Sequence, residues 1–272
     1  MSEMETSLMR RAFIRLLEIS WIVRDATIGG KLRAVAHVLR APAVGYVAFM
    51  LNLLLKKIAL LFGVDDERAA EYPWILHQLG LFPKGSKVLD VGCSESILTH
   101  VLVMRGFTVT GLDLRDYPFR SRQMVFVKRN MADTGLPDDF FDGIVLVSTI
   151  EHVGLSVYGQ SLVDNALDAK AIHELQRILK PGGLLMITTP FVGKKEARVT
   201  RTERQYGFRE LEKLIGDLMI LREDYFSLCR YHHALRWVRQ DRNCAEKARF
   251  DEAGIACLVL RKTDALTIDG DR

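Results

Sequence analysis

With 272 residues, 49% of them apolar and 26% charged, the chain has the composition of a globular protein with ample core material, which excludes a disordered one. That length predicts one large domain, or a domain with an appendage. A net charge of +4 is too modest to point to nucleic acid, which calls for a strongly basic face.

Residues 1–63 carry no recognisable chemistry. Met9, Phe13, Leu16 and Leu17 recur at helical spacing, with Arg10, Arg11, Arg15 and Glu18 on the other side, and predict an amphipathic helix. Gly29-Gly30 breaks it, and Lys31 to Arg40 is a second short helical stretch that stops near Pro42. Glu3 and Glu5 open the chain without a short apolar core and cleavage site behind them, so no signal peptide is expected. Ala43 to Phe62 is apolar apart from Asn52, Lys56 and Lys57, but its uninterrupted run ends at Leu55. A spanning helix needs ~20 apolar residues. Three readings stay open for this segment. It is a helix packed on the main domain or on a second copy of the chain, which would make a homo-oligomer. It is an interfacial helix on a membrane surface, favoured by nine Lys/Arg against four Asp/Glu over residues 1–63. Or it is a true span. The expected organisation is a helical extension, 1–63, followed by a main domain, 64–272.

From about Val64 to Pro190 strands alternate with helices. Lys87 to Val91 reads as a β-branched strand, followed by a helix from Ser96 to Arg105. Phe107 to Leu112 and Gln123 to Val127 are the next strands, then Phe141 to Ser148. A long helix from about Leu162 to Leu179 is stopped by Pro181-Gly182-Gly183, which turns into strand Leu184 to Thr189. Strands alternating with helices predict an α/β fold with a doubly wound parallel sheet covered on both faces. Beyond it, Gly207 to Leu218 is helical, and Met219 to Tyr225 and Ile255 to Arg261 read as strands. Between them Cys229 to Arg249, rich in Arg, His and Lys, is expected to be a loop or surface helix.

The four cysteines, Cys93, Cys229, Cys244 and Cys257, form no C-x-x-C pair and have no zinc-like spacing with His232 or His233. Free thiols in a reducing cytosol are therefore expected, and no metal site.

The first strand runs through Asp90 into Gly92-Cys93-Ser94-Glu95-Ser96, and the second ends on Asp113. A tight turn of small residues lets backbone approach a nucleoside cofactor, and a carboxylate one strand away meets its ribose hydroxyls. Only the first glycine of a dinucleotide fingerprint is present, and Glu95 near the helix start would repel a pyrophosphate resting there. That disfavours NAD and FAD.

The motifs resemble, in order and spacing, those of the class I S-adenosyl-L-methionine-dependent methyltransferases of small-molecule type. Asp90-Val91-Gly92-Cys93 looks like their motif I, and Asp113 like their acidic residue after the second strand. Asn130-Met131-Ala132-Asp133 is similar to the segment flanking the adenine, and Phe140 to Val145 to the start of the fourth strand. Glu151-His152 matches a pair frequent after that strand, and Leu179-Lys180-Pro181-Gly182-Gly183 the turn into the fifth. The resemblance covers about residues 85–261. One departure is that Ser94 and Ser96 stand where glycine is more usual.

The resemblance implies a Rossmann-like fold with a seven-stranded, mostly parallel sheet, and S-adenosyl-L-methionine as cofactor. Asp113 is then expected at the ribose hydroxyls, Leu114 on the adenine, and Asp133 and Ala132 at the adenine edge. Gly92, Cys93 and Ser94 would meet the methionine end, Asp90 would order the turn, and Ser148 would face the crevice. His152 and Glu151 are the candidate bases, needed only if the acceptor must lose a proton. His173 is read as packing. Tyr72, within Glu71-Tyr72-Pro73-Trp74, and Tyr158 are candidates for the acceptor pocket, as are Arg201, Arg204 and Tyr206 after the fifth strand. Two arginines there would suit a phosphate or carboxylate on the acceptor.

The expected activity is methyl transfer to a small molecule, a glycan or a lipid headgroup, with oxygen preferred as acceptor atom and no nucleic acid partner. The expected location is cytoplasmic, or peripheral on the inner face of a membrane through residues 1–63. Alternatives are a non-catalytic cofactor-binding or membrane-tethered module, an RNA methyltransferase and a nicotinamide oxidoreductase.

Overall fold

The structure is a computed structural model that describes residues 67–119, 121–157, 164, 166–193, 197–200, 202–231, 234–247 and 253–263. The expected helices before residue 64, and Tyr158 and Arg201, lie outside the described residues.

The chain builds α1 (Arg68–Gln78), β1 (Lys87–Val91), α2 (Leu98–Met104), β2 (Thr108–Asp113), β3 (Met124–Lys128) and β4 (Phe141–Val147). Next come α3 (Leu167–Ile178), β5 (Leu179–Pro190), the short β6 (Arg198–Val199) and β7 (Arg204–Gln205), and α4 (Phe208–Ile215). Then follow β8 (Met219–Tyr231), β9 (Ala234–Gln240), α5 (Arg242–Lys247) and β10 (Gly254–Arg261). The main sheet has eight strands in the order β3-β2-β1-β4-β5-β10-β8-β9. The first five are parallel, and β10, β8 and β9 join antiparallel. Chain order reverses between β1 and β4, so the crevice at their carboxyl ends is where such a sheet places its ligand.

Alternation along the strands divides the core between the two faces. Leu89, Ile144, Leu146, Leu185 and Ile187 point to one side, with Ile172 and Leu175 of α3 and Leu211 and Leu214 of α4. Val88, Val145, Val147, Leu184 and Met186 point to the other, with Trp74 and Ile75 of α1 and Leu98 and Leu102 of α2. Strands buried on both faces read as unbroken apolar runs, which is why they were legible.

The structure extends the expected strands at one edge. Cys229 to Arg249 is neither a loop nor only a helix: β8 continues to Tyr231 and β9 pairs back along it before α5 begins. β9 is the eighth strand, one more than the seven expected. Its arginines hid it, because an edge strand can keep charged side chains in water. β5 also begins early, at Leu179 opposite Phe141, with the Pro181–Gly183 turn absorbed as a register shift. Helix α1 was not foreseen as a helix, since Pro73 lies inside it and removes one backbone donor. Its buried stripe of Ala70, Glu71, Trp74, Ile75 and Gln78 follows helical spacing.

Candidate active site

The turn after β1 starts from Gly92, which is left-handed at φ 77°. A side chain there would sit 2.3 Å from the Thr149 hydroxyl oxygen. Thr149 is itself held over the turn, donating to the Val147 carbonyl at 3.0 Å. Cys93 is buried beside Gly111 of β2, where any Cβ would lie 2.9 Å from its sulfur. Burial pushes its thiol pKa up and keeps it neutral.

Asp113 ends β2 and folds toward this turn. Its Oδ2 accepts from the Ser94 backbone N–H at 2.9 Å, and its Oδ1 from the Arg115 N–H at 2.8 Å. The Ser94 hydroxyl donates to the Arg115 carbonyl at 3.2 Å. Each carboxylate oxygen has a second lone pair, so the acceptor capacity of Asp113 is not exhausted. Leu114 beside it is an apolar side chain left 39% exposed. Asp90, only 2% exposed, accepts from the Thr99 hydroxyl at 2.6 Å and so ties β1 to α2. Burial pushes its pKa up to about 7, against the opposing hydrogen bond from Thr99.

The segment expected at the adenine forms a tight turn. The Ala132 N–H donates to Asn130 Oδ1 at 2.9 Å, the Asp133 N–H donates to the Asn130 carbonyl at 3.0 Å, and Asp133 is exposed.

At the end of β4, Ser148 takes a left-handed backbone, φ 40°, unusual for a non-glycine residue. Its N–H donates to the carbonyl and the hydroxyl of Thr188, at 3.0 and 3.1 Å. Its hydroxyl donates to Oε1 of Glu71. Glu71 is fully buried on α1, receives the Thr188 hydroxyl at 2.7 Å, and pairs with Arg68 at 2.7 Å. Its neighbour Tyr72 hydrogen-bonds the Ser96 hydroxyl at 3.0 Å, so α1 reaches both the turn after β1 and the ends of β4 and β5. Tyr117 donates to the Ser96 carbonyl at 3.1 Å from the loop after β2. Thr99, Tyr117 and Thr188 were missed by sequence reasoning, and Glu71 entered it only as part of the segment Glu71-Tyr72-Pro73-Trp74. The one available signal was Glu71 standing on the apolar stripe of a helix, three residues after Arg68.

Ile150 to His152 forms a single helical turn after Ser148 and Thr149. His152 Nδ1 lies 2.7 Å from the Thr202 carbonyl, which can only accept, so Nδ1 carries the proton and Nε2 is the basic nitrogen. Nε2 lies 3.7 Å from Oε1 of the buried Glu151. Burial raises the Glu151 pKa well above the carboxylate range, and the Glu71 and Glu203 charges add to it. The Thr189 hydroxyl reaches its other oxygen at 3.4 Å.

Arg204 and Tyr206 do not line an open pocket. The Arg204 guanidinium is buried, donating to the carbonyls of Val153 and Asp164, and lies 3.7 Å from Asp168. Tyr206 is buried and donates to Asp168 at 3.0 Å. Both side chains brace the segment after β4, Arg204 through two of its carbonyls and Tyr206 through the Asp168 carboxylate. Among the described residues no cluster of His, Cys, Asp and Glu is arranged to hold a metal ion.

A family described as "Methyltransferase domain" matches residues 64–249. Over 131 residues the chain is 28% identical to the ubiquinone biosynthesis O-methyltransferase of Pseudomonas aeruginosa, covering 43% of this chain and 48% of that protein. The Pseudomonas fluorescens protein of the same name is 29% identical over 126 residues, with the same coverage. The chain thus spans about half the length of the curated relatives it matches. Among solved structures, the 1,6-didemethyltoxoflavin-N1-methyltransferase of Burkholderia thailandensis, with 1,6-didemethyltoxoflavin and S-adenosylhomocysteine bound, superposes at TM-score 0.50 and 17% identity. That match covers 71% of this chain and 77% of the other. The [4+2]-cyclase SpnF superposes at TM-score 0.53 and 18% identity, covering 82% and 96%. One is a methyltransferase and the other a cyclase, so these likenesses show the fold alone.

Proposed function

The chain belongs to the methyltransferase domain family, and on that premise we propose that it transfers the methyl group of S-adenosyl-L-methionine to a small-molecule acceptor. The observation that carries this reading is the switch-point crevice, where a left-handed glycine turn after β1 faces the buried Asp113 carboxylate ending β2. The residues present suit that cofactor. Asp113 offers acceptors to a pair of ribose hydroxyls, and exposed Leu114 offers apolar surface to a base. Gly92 permits close backbone approach, with Cys93 and Ser94 beside it for the amino-acid end. Ala132 and Asp133 stand at the adenine edge in this reading.

When bound, S-adenosyl-L-methionine supplies a methyl group on a positive sulfur, a leaving group that needs no proton. The protein's part is then chiefly positioning. Ser148 and Glu71, fixed over the ends of β4 and β5, shape the acceptor side of the crevice, with Tyr72 closing it from α1. His152 takes a proton at Nε2 when the acceptor is a hydroxyl, and the buried Glu151 carboxyl stands 3.7 Å from that nitrogen. The relatives named as O-methyltransferases support an oxygen acceptor, and we favour a hydroxyl on a metabolite, glycan or lipid headgroup. Arg204 and Tyr206 are left out of the acceptor pocket, because their polar atoms are spent inside the protein.

The test is labelled methyl transfer from S-adenosyl-L-methionine into fractionated cell extract by the full chain. Label is expected in a small polar molecule, polysaccharide or polar lipid. Label in RNA, or cofactor binding with no transfer to any fraction, would overturn the reading. With the acceptor identified, His152→Gln should lower kcat by about 10²- to 10⁴-fold, the usual worth of a positioned base, while cofactor affinity stays unchanged. A kcat close to that of the parent would remove His152 as the base.

A further inference from the structure

On the face of the sheet covered by α1, the β8–β9 hairpin carries a cluster that methyl transfer does not use. Arg222, Asp224 and Phe226 alternate along β8 and so share a face. In β9, Arg239 stands opposite Phe226, and Trp237 opposite Leu228, on that same face. Between this floor and α1 lies a cleft of about 300 Å³, walled by Pro73, Trp74, Phe226 and Trp237. Arg222 and Arg239 also line it, and among the described residues no Asp or Glu does.

A carboxylate stands behind the lining. Asp224 is 3% exposed and accepts from Trp74 Nε1 at 2.7 Å, Arg222 Nε at 2.9 Å and Arg239 Nε at 2.7 Å. One buried negative charge therefore serves two guanidiniums and an indole, and one positive charge is left over. Asp224 also orients the two arginines. Their Nε edges turn back to it, and each guanidinium has five N–H donors, so donors remain on both. Arg239 spends a second nitrogen, Nη2, on Asp224 Oδ1 at 2.6 Å, and Arg222 spends one on Gln78 Oε1 at 3.5 Å. The side chains of Arg222 and Arg239 stay 36% and 56% exposed, within reach of a ligand.

We propose that this cleft is a second binding site, for a small aromatic monocarboxylate. The ring fits among Trp74, Phe226 and Trp237, and the carboxylate matches the fork of guanidinium donors. A single negative charge balances the single excess positive charge, and the volume is at the small end of ligand pockets. The site is separate from the crevice but close to it. Asp224 is level with Cys257, and Cys257 with Thr188, so two strand spacings of about 4.8 Å separate it from the residue that holds Glu71. Glu71 and Trp74, three residues apart on α1, border one site each. The inference does not depend on methyl transfer.

Calorimetric titration of the full chain with 2-naphthoate tests it, with 2-naphthylmethanol as the uncharged control and S-adenosylhomocysteine present in one series. Saturable binding of the acid is expected below about 1 mM, at least about tenfold tighter than the alcohol. S-adenosylhomocysteine should not displace it. Arg239→Gln should weaken the acid at least tenfold and leave the alcohol unchanged, and Arg239→Lys should restore part of the loss. Circular dichroism and urea unfolding check that both variants keep the fold, because Arg239 also pairs with the buried Asp224. No saturable binding, equal affinity for acid and alcohol, displacement by S-adenosylhomocysteine, or indifference to Arg239→Gln would each overturn the proposal.

Discussion

Asp90 near the end of β1 and Gly92 in the turn after it are under opposite kinds of physical pressure, and each makes a prediction. Asp90 is buried without a cation bonded to it, so the folded state prefers it protonated, with a pKa of about 7 against an ordinary value of 3.8. A carboxylate with a raised folded pKa makes the native state bind more protons than the unfolded chain in that window. Its contribution is therefore favourable at low pH and is lost as pH rises from about 4 to 7. Asp90→Asn should gain relative to the parent by a few kcal/mol, in order of magnitude, between pH 5 and pH 8. Urea unfolding of both proteins at the two pH values measures this, and a difference that stays flat would remove the assignment. Gly92 is constrained by backbone and by space at once. Gly92→Ala combines a left-handed alanine with a clash against Thr149, and a loss of about 2–4 kcal/mol is expected. Adding Thr149→Ala should recover the steric part alone, as a double-mutant cycle would show.

Helix α1 is the element whose position matters most for the crevice. It is held by polar anchors as well as by its apolar stripe: Glu71 to Ser148 and Thr188, Tyr72 to Ser96, and Trp74 to Asp224. A charged residue on a buried stripe is costly unless its partners are in place, so these bonds specify one seating of the helix. Trp74→Phe keeps the ring and removes the indole donor from a buried carboxylate. It should destabilise the protein by about 1–3 kcal/mol, read by urea unfolding, and speed hydrogen exchange in α1 more than in β4. Equal exchange in both elements would mean that α1 does not open separately. The β8–β9 hairpin is the matching case on the sheet. Its polar, arginine-rich strand is held by backbone pairing along β8 and by the salt bridge of Arg239 to Asp224.

At the scale of the whole molecule, the contacts that build the crevice among the described residues join α1, the turn after β1 and the ends of β4 and β5. We accordingly propose that residues 1–63 are a separate helical unit that serves a membrane surface or a second copy of the chain. Among the described residues, no helix is long and apolar enough to cross a membrane. Deleting residues 1–63 should leave a domain that unfolds cooperatively and binds S-adenosyl-L-methionine as the full chain does. Co-sedimentation with vesicles containing anionic lipid should be lost with the extension and weaken with salt. A truncated chain that sediments as well as the parent would end the interfacial role, and one that no longer folds would make the extension part of the domain.

The sequence alone determined the sheet's parallel core and the crevice within it. Unbroken apolar runs such as residues 144–147 and 184–187 are local consequences of burial on both faces, and Asp90, Gly92 and Asp113 occupy strand ends that the strand pattern locates. Residues whose meaning depends on distant partners were not legible. Glu71 takes its place from Thr188, 117 positions away, and Trp74 from Asp224, 150 away. Arg204 was expected to face an acceptor, but its guanidinium turns inward onto the carbonyls of Val153 and Asp164. Whether a charged side chain points to solvent, to a ligand or to a buried partner is set by what the rest of the chain brings beside it. Pattern along the chain records burial and period, and only the tertiary structure decides that direction.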